Sequence, residues 1–132
     1  MFTLAKSMRI FSLGLILLAS LAVTGCGETL ATPSDPDKAV DALKSVLESW
    51  KAGETPESLA GRTPTIMVVD LDWQQGYKLV DFKADDDGYL AGYDMNYKVA
   101  LQLKSPKGKL VKKTAVYTVS THPDVMIQRQ EG

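Results

Sequence analysis

Apolar residues recur every three or four positions between residues 35 and 53, which is the spacing of one buried face of an α-helix. These residues are Ala39, Val40, Leu43, Val46, Leu47 and Trp50. Ser34 or Asp35 can supply the N-cap oxygen, Pro36 suits the first helical turn, and Gly53 fits the position just after the helix. The pattern therefore predicts one amphipathic helix.

The remainder of the chain has the pattern of β-structure. A β-branched apolar run at residues 66–69 predicts a strand, and polar and apolar residues alternate in several segments after Gly76. The clearest alternation, within residues 89–104, places four side chains on one face: Tyr97, Val99, Leu101 and Leu103. Turn-forming sequences lie at residues 85–88, 105–108 and 121–124. We expect an α+β fold, in which the N-terminal helix packs on a curved antiparallel sheet of about four to five strands.

The first 25 residues have the features of an export signal. Lys6 and Arg9 precede an apolar stretch at residues 10–23, and this segment contains no acidic residue. The stretch of about 14 residues is shorter than the roughly 20 that a transmembrane helix needs. The start of the chain therefore predicts a cleaved signal peptide.

The only cysteine of the chain, Cys26, follows directly after this segment. The sequence Val23-Thr24-Gly25-Cys26 resembles the lipobox of bacterial lipoproteins, in which the cysteine takes a lipid and becomes the first residue of the mature protein. The resemblance implies a lipid-anchored protein of the bacterial cell envelope, facing the periplasm or in the outer membrane. The expected organisation is a signal peptide at residues 1–25, a flexible tether at 26–34 and a single domain at 35–132.

Composition and charge narrow the classes of partner. The chain contains 15 basic and 16 acidic residues, and it has no basic segment with interleaved aromatic residues that would predict nucleic-acid binding. A single cysteine cannot form a disulfide within the chain, so the domain must fold through its core alone. We expect no cofactor, and partners limited to the membrane and an envelope protein.

The order of elements also resembles the cystatin-like and NTF2-like architecture, in which an antiparallel sheet wraps one helix. Three segments resemble a group of small exported bacterial proteins: residues 50–53, 64–82 and 106–109. The resemblance implies a fold and no particular activity. The chain lacks the Gln-x-Val-x-Gly hairpin with which cystatins inhibit proteases.

Two groups of polar residues have the chemistry of a metal or catalytic site but not its spacing. Asp85, Asp86 and Asp87 are consecutive, whereas a calcium loop of the EF-hand type needs acids at alternating positions. His122 is the only histidine and lies in a predicted turn. We therefore predict no catalytic, cofactor-binding or metal-ligating residue at these positions.

Asp70, Asp72 and Trp73 admit two interpretations. Two carboxylates beside an aromatic ring suit acid–base chemistry or sugar binding, in a pocket between helix and sheet. The same carboxylates can instead cap the backbone of a turn while the tryptophan joins the core. Capping is the favoured interpretation, because it needs no substrate.

Five lysines cluster around the predicted turn at residues 105–108: Lys104, Lys107, Lys109, Lys112 and Lys113. The cluster can contact anionic lipid or an acidic partner, or it can keep a sheet edge from pairing with other chains. The sequence thus favours a tethered, non-enzymatic domain for protein or envelope contacts. The alternative function is a small-molecule binder or minor enzyme with its pocket near Asp70, Asp72 and Trp73.

Overall fold

The computed structural model describes residues 32–131, so Cys26 and the predicted export segment lie outside the described residues. The helices are α1 (Pro36–Lys51), α2 (Pro56–Ala60) and α3 (Leu71–Gln74). The strands are β1 (Ile66–Val69), β2 (Lys78–Ala84), β3 (Tyr89–Ala91), β4 (Asp94–Lys104), β5 (Leu110–Ser120) and β6 (Val125–Arg129). None of the helices within residues 32–131 is long and apolar enough to cross a membrane.

Helix α1 confirms the predicted amphipathic helix. Asp35 is the N-cap, and its side chain accepts a hydrogen bond from the backbone N–H of Lys38 at 3.0 Å. Gly53 has a φ of +93°, the left-handed conformation expected just after a helix. The predicted apolar face is buried through Ala39, Leu43, Val46, Leu47 and Trp50.

The sheet differs from the antiparallel one that the sequence predicted. Its six strands follow the order β1-β6-β5-β4-β2, with β3 also pairing with β4. All pairs among strands β2 to β6 are antiparallel, but β1 runs parallel to β6. The fold is therefore α+β with a curled mixed sheet. The alternation of residues along a strand indicates which face is buried, but it does not identify the neighbouring strand. The pairing of β1 with β6 could not be predicted from local patterns, because the two strands lie far apart in sequence.

Residues 89–104 form a hairpin. The chain turns at Gly92, which has a φ of +67°, so that β3 folds back on the first residues of β4. Strand β2 pairs with β4 from Val99 to Lys104. Strands β3 and β2 therefore follow one another along the same edge of β4, while β5 occupies the other edge.

The core lies between α1 and one face of the sheet, which we call the inner face. The buried inner-face residues of β4 and β5 are Met95, Tyr97, Val99, Leu101, Leu103, Ala115, Tyr117 and Val119. The Tyr97 hydroxyl donates to the backbone oxygen of Pro36 at 2.9 Å, so the start of α1 lies near the start of β4.

The chain enters the domain at the end where β4 begins. The backbone N–H of Ser34 donates to the oxygen of Tyr93 at 2.8 Å. The Ser34 hydroxyl accepts from the N–H of Thr121 at 3.0 Å, and the N–H of Asp35 donates to the Thr121 hydroxyl at 3.0 Å. Ser34, which the sequence assigned to the flexible tether, is buried and held on two sides.

Candidate functional site

The parallel pairing of β1 and β6 brings Asp70 next to Arg129. Val69 is in register with Gln128, so the residues that follow lie at the same end of the two strands. Arg129 also pairs with Tyr117 across β5 and β6, which places both side chains on the inner face. The sheet topology thus gathers an acid, a phenol and a guanidinium from three separate parts of the chain.

These side chains form one hydrogen-bonded network with Asp72 and Lys113. Asp70 is 1% exposed; its carboxylate accepts from the Tyr117 hydroxyl and, at 3.2 Å, from Nη1 of Arg129. Asp72 accepts from the same Arg129 nitrogen at 2.6 Å and from Nζ of Lys113 at 2.8 Å. Two carboxylates are therefore paired with two cations. This pairing offsets much of the free energy that burying the charges would cost.

Asp70 also caps α3, the single helical turn that carries Asp72 and Trp73. Its Oδ1 accepts from the backbone N–H of Trp73 at 3.2 Å. The capping interpretation of Asp70 therefore describes one of its contacts. The bonds to Arg129 and Tyr117 were not predicted.

The network shifts the pKa of three of its members. Burial favours the neutral form of Asp72, but hydrogen bonds and charge from Lys113 and Arg129 outweigh burial and lower the pKa of this carboxyl. Burial, followed by the charge and hydrogen bond of Asp70, raises the pKa of the Tyr117 phenol. Burial favours deprotonation of Arg129, but its two acidic neighbours outweigh burial and raise the pKa. The phenol is therefore held neutral beside charged partners.

The network uses its hydrogen-bonding groups internally. Within the described part of the chain, every buried side-chain nitrogen or oxygen has a hydrogen-bond partner. A substrate at Asp70 would have to displace Arg129 or Tyr117 before it met the carboxylate, and Oδ2 of Asp72 is likewise occupied by Arg129 and Lys113. The arrangement therefore supports the fold at the junction of α3 with β5 and β6.

Comparisons with protein-family models, with curated proteins and with solved structures found no match to this chain.

Trp73 directly follows Asp72 in α3, and its ring lies against that of Trp50. The two indole rings are stacked, with centroids 5.1 Å apart and planes inclined by 9°. The indole N–H of Trp73 donates to the backbone oxygen of Glu54 at 3.0 Å, and the indole N–H of Trp50 donates to the backbone oxygen of Tyr77 at 2.9 Å. The stack joins the end of α1 to α3 and to the start of β2.

A surface groove of about 450 Å³ lies beside this stack, at the C-terminal end of α1. Both tryptophans line it, together with Tyr77, Val80 and Lys104. Asp70 and Asp72 do not contribute to its walls. The structure therefore separates the three residues that the sequence grouped into one pocket.

The five clustered lysines also divide into two groups. Lys113 points to the inner face, where it pairs with Asp72 and lies 5.4 Å from the centre of the Tyr77 ring. The other four are exposed, and we call them the lysine hairpin: Lys104, Lys107, Lys109 and Lys112. None of these four forms an ion pair within residues 32–131. The lysine hairpin is therefore a group of four exposed positive charges that form no ion pair in the described part of the chain.

The remaining sequence candidates are surface residues. Asp85, Asp86 and Asp87 are exposed in the turn before β3, and Asp86 pairs with Lys44 of α1. His122 is exposed in the turn between β5 and β6. Within residues 32–131, no three His, Cys, Asp or Glu side chains are grouped so that they could hold a metal ion.

The sequence did not identify Tyr117 and Arg129 as members of the network. A feature of β5 and β6 nevertheless points to charged residues on the buried face. Lys113 and Arg129 occupy positions of β5 and β6 whose alternate neighbours are buried, namely Ala115 and Ile127. A charged residue on the buried face of a strand requires a partner of opposite charge. That rule points to Asp70 and Asp72 only once the positions of the strands are known.

Proposed function

We propose that this chain is a bacterial lipoprotein, held in the cell envelope by lipid on Cys26, whose non-enzymatic domain contacts an acidic partner. The observation that carries the proposal is that Ser34 and the lysine hairpin lie at opposite ends of β4. Ser34 is bonded to Tyr93, next to the start of the strand, and the lysine hairpin begins at Lys104, where the strand ends. The 11 residues of β4 span about 36 Å at ~3.3 Å per residue. A lipid on Cys26 would leave the lysine hairpin facing away from the membrane.

Charge favours an acidic partner at this distal end. No lysine of the lysine hairpin forms an ion pair within residues 32–131, and the segment from Leu110 to Ser120 contains no acidic residue. Unpaired positive charge on an exposed turn attracts negatively charged surfaces and speeds association with them. The contact is expected to weaken at high salt, because exposed charges are screened.

The packing of α1 on the inner face also supports a cystatin-like or NTF2-like architecture for the domain. One long helix lies on strands β2, β4, β5 and β6, and each hydrogen-bonded pair among these four strands is antiparallel. The parallel strand β1 is an addition to that arrangement. Such folds carry many unrelated functions, so this part of the proposal concerns shape alone.

The anchor is tested by replacing Cys26 with serine in the full chain. The unmodified protein is expected in the membrane fraction with incorporated fatty acid. Cys26→Ser should lose the label and move to the soluble fraction, because serine cannot form the thioether to lipid. Thr24→Ala keeps the cysteine and serves as the matched control, which should stay with membranes. Tight membrane association of the Cys26→Ser protein would contradict the anchor.

The partner contact is tested with a photo-crosslinking residue in native envelopes. Placed at position 107, the residue should form a protein adduct, whereas the same residue at exposed position 87 should not. Asp87 precedes β3, which pairs with the first residues of β4, and so lies near the end where the chain enters the domain. The adduct should decrease several-fold in Lys104→Glu/Lys112→Glu. Lys38→Glu/Lys44→Glu reverses two charges on α1 and should leave the adduct unchanged. Equal adducts from positions 107 and 87 would argue against a contact at the lysine hairpin.

Small-molecule binding is a second candidate function, supported by the groove beside Trp50 and Trp73. Its volume of about 450 Å³ lies within the range of ligand pockets, and apolar side chains contribute much of its wall. The groove is open along the surface, and none of the charged side chains of the Asp70–Arg129 network lines it. Quenching of tryptophan fluorescence by a bound ligand would favour this function over the proposed one.

A further inference from the structure

Strand β3 and the turn that joins it to β4 carry three exposed side chains that are largely apolar. Tyr89 is 58% exposed, Leu90 is 54% exposed and Tyr93 is 57% exposed. We call residues 89–93 the aromatic hairpin. The backbone of β3 pairs only with the first residues of β4, so the hairpin projects from the end of the sheet. Apolar groups exposed together on one projecting turn commonly mark a contact surface.

The aromatic hairpin is also where the chain enters the domain. The Ser34 N–H is bonded to the oxygen of Tyr93, and Ser34 is held on its other side by Thr121. Only seven residues separate Ser34 from Cys26. Fully extended, that connection spans at most about 28 Å, at ~3.5 Å per residue. An anchor on Cys26 would therefore hold Ser34, and the aromatic hairpin bonded to it, within about 28 Å of the lipid, which is less than the length of β4.

We propose that the aromatic hairpin rests in the lipid headgroup region of the membrane that holds Cys26. Tyrosine suits this position because its ring is apolar while its hydroxyl can stay hydrated, and tyrosine is enriched at membrane–water interfaces. Leu90 adds an aliphatic group that reaches the upper part of the acyl chains. The contact orients the domain so that β4 points away from the membrane plane and the lysine hairpin lies in the aqueous space. This inference rests on the anchor proposed above and adds a second, non-covalent contact to it.

The charges near the aromatic hairpin specify the kind of lipid. Asp94 follows Tyr93 directly, and Asp35 and Asp37 lie at the start of α1, beside the Tyr97 hydroxyl. These acids would be repelled by an anionic surface, whereas the lysine hairpin would be attracted to it. The aromatic hairpin should therefore contact zwitterionic headgroups, and anionic lipid should weaken the contact. The reverse orientation, with lysines on the membrane, would show the opposite dependence.

The single native cysteine makes a direct test possible, because a second, introduced thiol can be labelled once Cys26 carries lipid. Ala91→Cys lies within the aromatic hairpin and leaves its three apolar side chains in place. Lys107→Cys lies in the lysine hairpin and is the matched control. Each full-length lipidated protein, labelled with a fluorophore, is reconstituted into phosphatidylcholine vesicles that contain a headgroup-level quencher. Quenching at position 91 should exceed that at position 107 several-fold, and phosphatidylglycerol should reduce it.

Leu90→Ser/Tyr93→Ser in the Ala91→Cys protein should lower the quenching to the level of position 107, with an unchanged unfolding midpoint because both side chains are exposed. Equal or stronger quenching at position 107 would overturn the inference. The inference would also be overturned if the label at position 91 were shielded from a water-soluble quencher in native envelopes but not in vesicles. That result would assign the aromatic hairpin to a protein partner. Protein that does not sediment with vesicles would overturn the anchor and this inference together. Sedimentation without quenching at position 91 would overturn the hairpin contact alone.

Discussion

Replacing Asp70 with alanine should lower the free energy of unfolding by about 3–5 kcal/mol, the range for removing one partner of a buried ion pair. Asp70 is 1% exposed, and its carboxylate binds the Tyr117 hydroxyl, the Arg129 guanidinium and the backbone N–H of Trp73. The substitution leaves Arg129 with a single carboxylate partner and leaves a buried phenol without an acceptor. Urea unfolding followed by circular dichroism measures the change.

Two further variants identify the cause of this loss. Asp87→Ala removes a carboxylate from an exposed turn and should change the free energy of unfolding by less than about 0.5 kcal/mol. Asp70→Ala/Arg129→Met removes both charges and should recover part of the stability, because no buried charge is left unpaired. A loss below about 1 kcal/mol in Asp70→Ala would mean that water replaces the carboxylate, contrary to the packing described above.

Replacing Trp73 with alanine should cost about 3–5 kcal/mol of the free energy of unfolding, as large aromatic deletions in cores do. The ring is 7% exposed and stacks on Trp50, and its N–H satisfies the backbone oxygen of Glu54. Its removal opens a cavity between α1 and α3 and leaves that oxygen without its donor. Circular dichroism during urea unfolding is the suitable measurement, because the substitution also alters tryptophan fluorescence.

Leu71→Ala is the matched control for Trp73→Ala. Leu71 lies in the same helical turn but is 47% exposed, so its truncation should cost less than about 1 kcal/mol. Trp73→Phe should fall between the two, since phenylalanine keeps an aromatic ring but loses the N–H donor. Similar losses in Trp73→Ala and Leu71→Ala would indicate that the stacked pair does not contribute to the core.

The elements predicted correctly are those that depend on neighbouring residues. The buried face of α1, its Asp35 cap and the glycine after it follow from spacing and backbone conformation within a few turns. The hairpin between β4 and β5 follows likewise from the turn-forming sequence at residues 105–108. The fold-back at Gly92 is also local, but the polar and apolar alternation continues on both sides of it, so the pattern did not reveal the turn.

The candidate site was predicted in part. Asp70, Asp72 and Trp73 stood out because they are close in sequence, and the structure places Asp70 as the cap of α3. Their partners Lys113 and Arg129 lie 41 and 57 residues after Asp72. The Lys113 side chain was expected in an exposed patch, since a cluster of lysines in sequence does not indicate that strand alternation sends one of them inward.

The sequence by itself determined the long helix with its cap, most of the strands and the presence of a single cysteine after an apolar segment. Each depends on side chains and backbone preferences within a short stretch of chain. Only the tertiary structure decided that β1 pairs in parallel with β6, that Asp70 meets Arg129, and that Ser34 and the lysine hairpin lie at opposite ends of β4. These relations join distant segments through burial and charge pairing, and many strand orders satisfy the same local pattern.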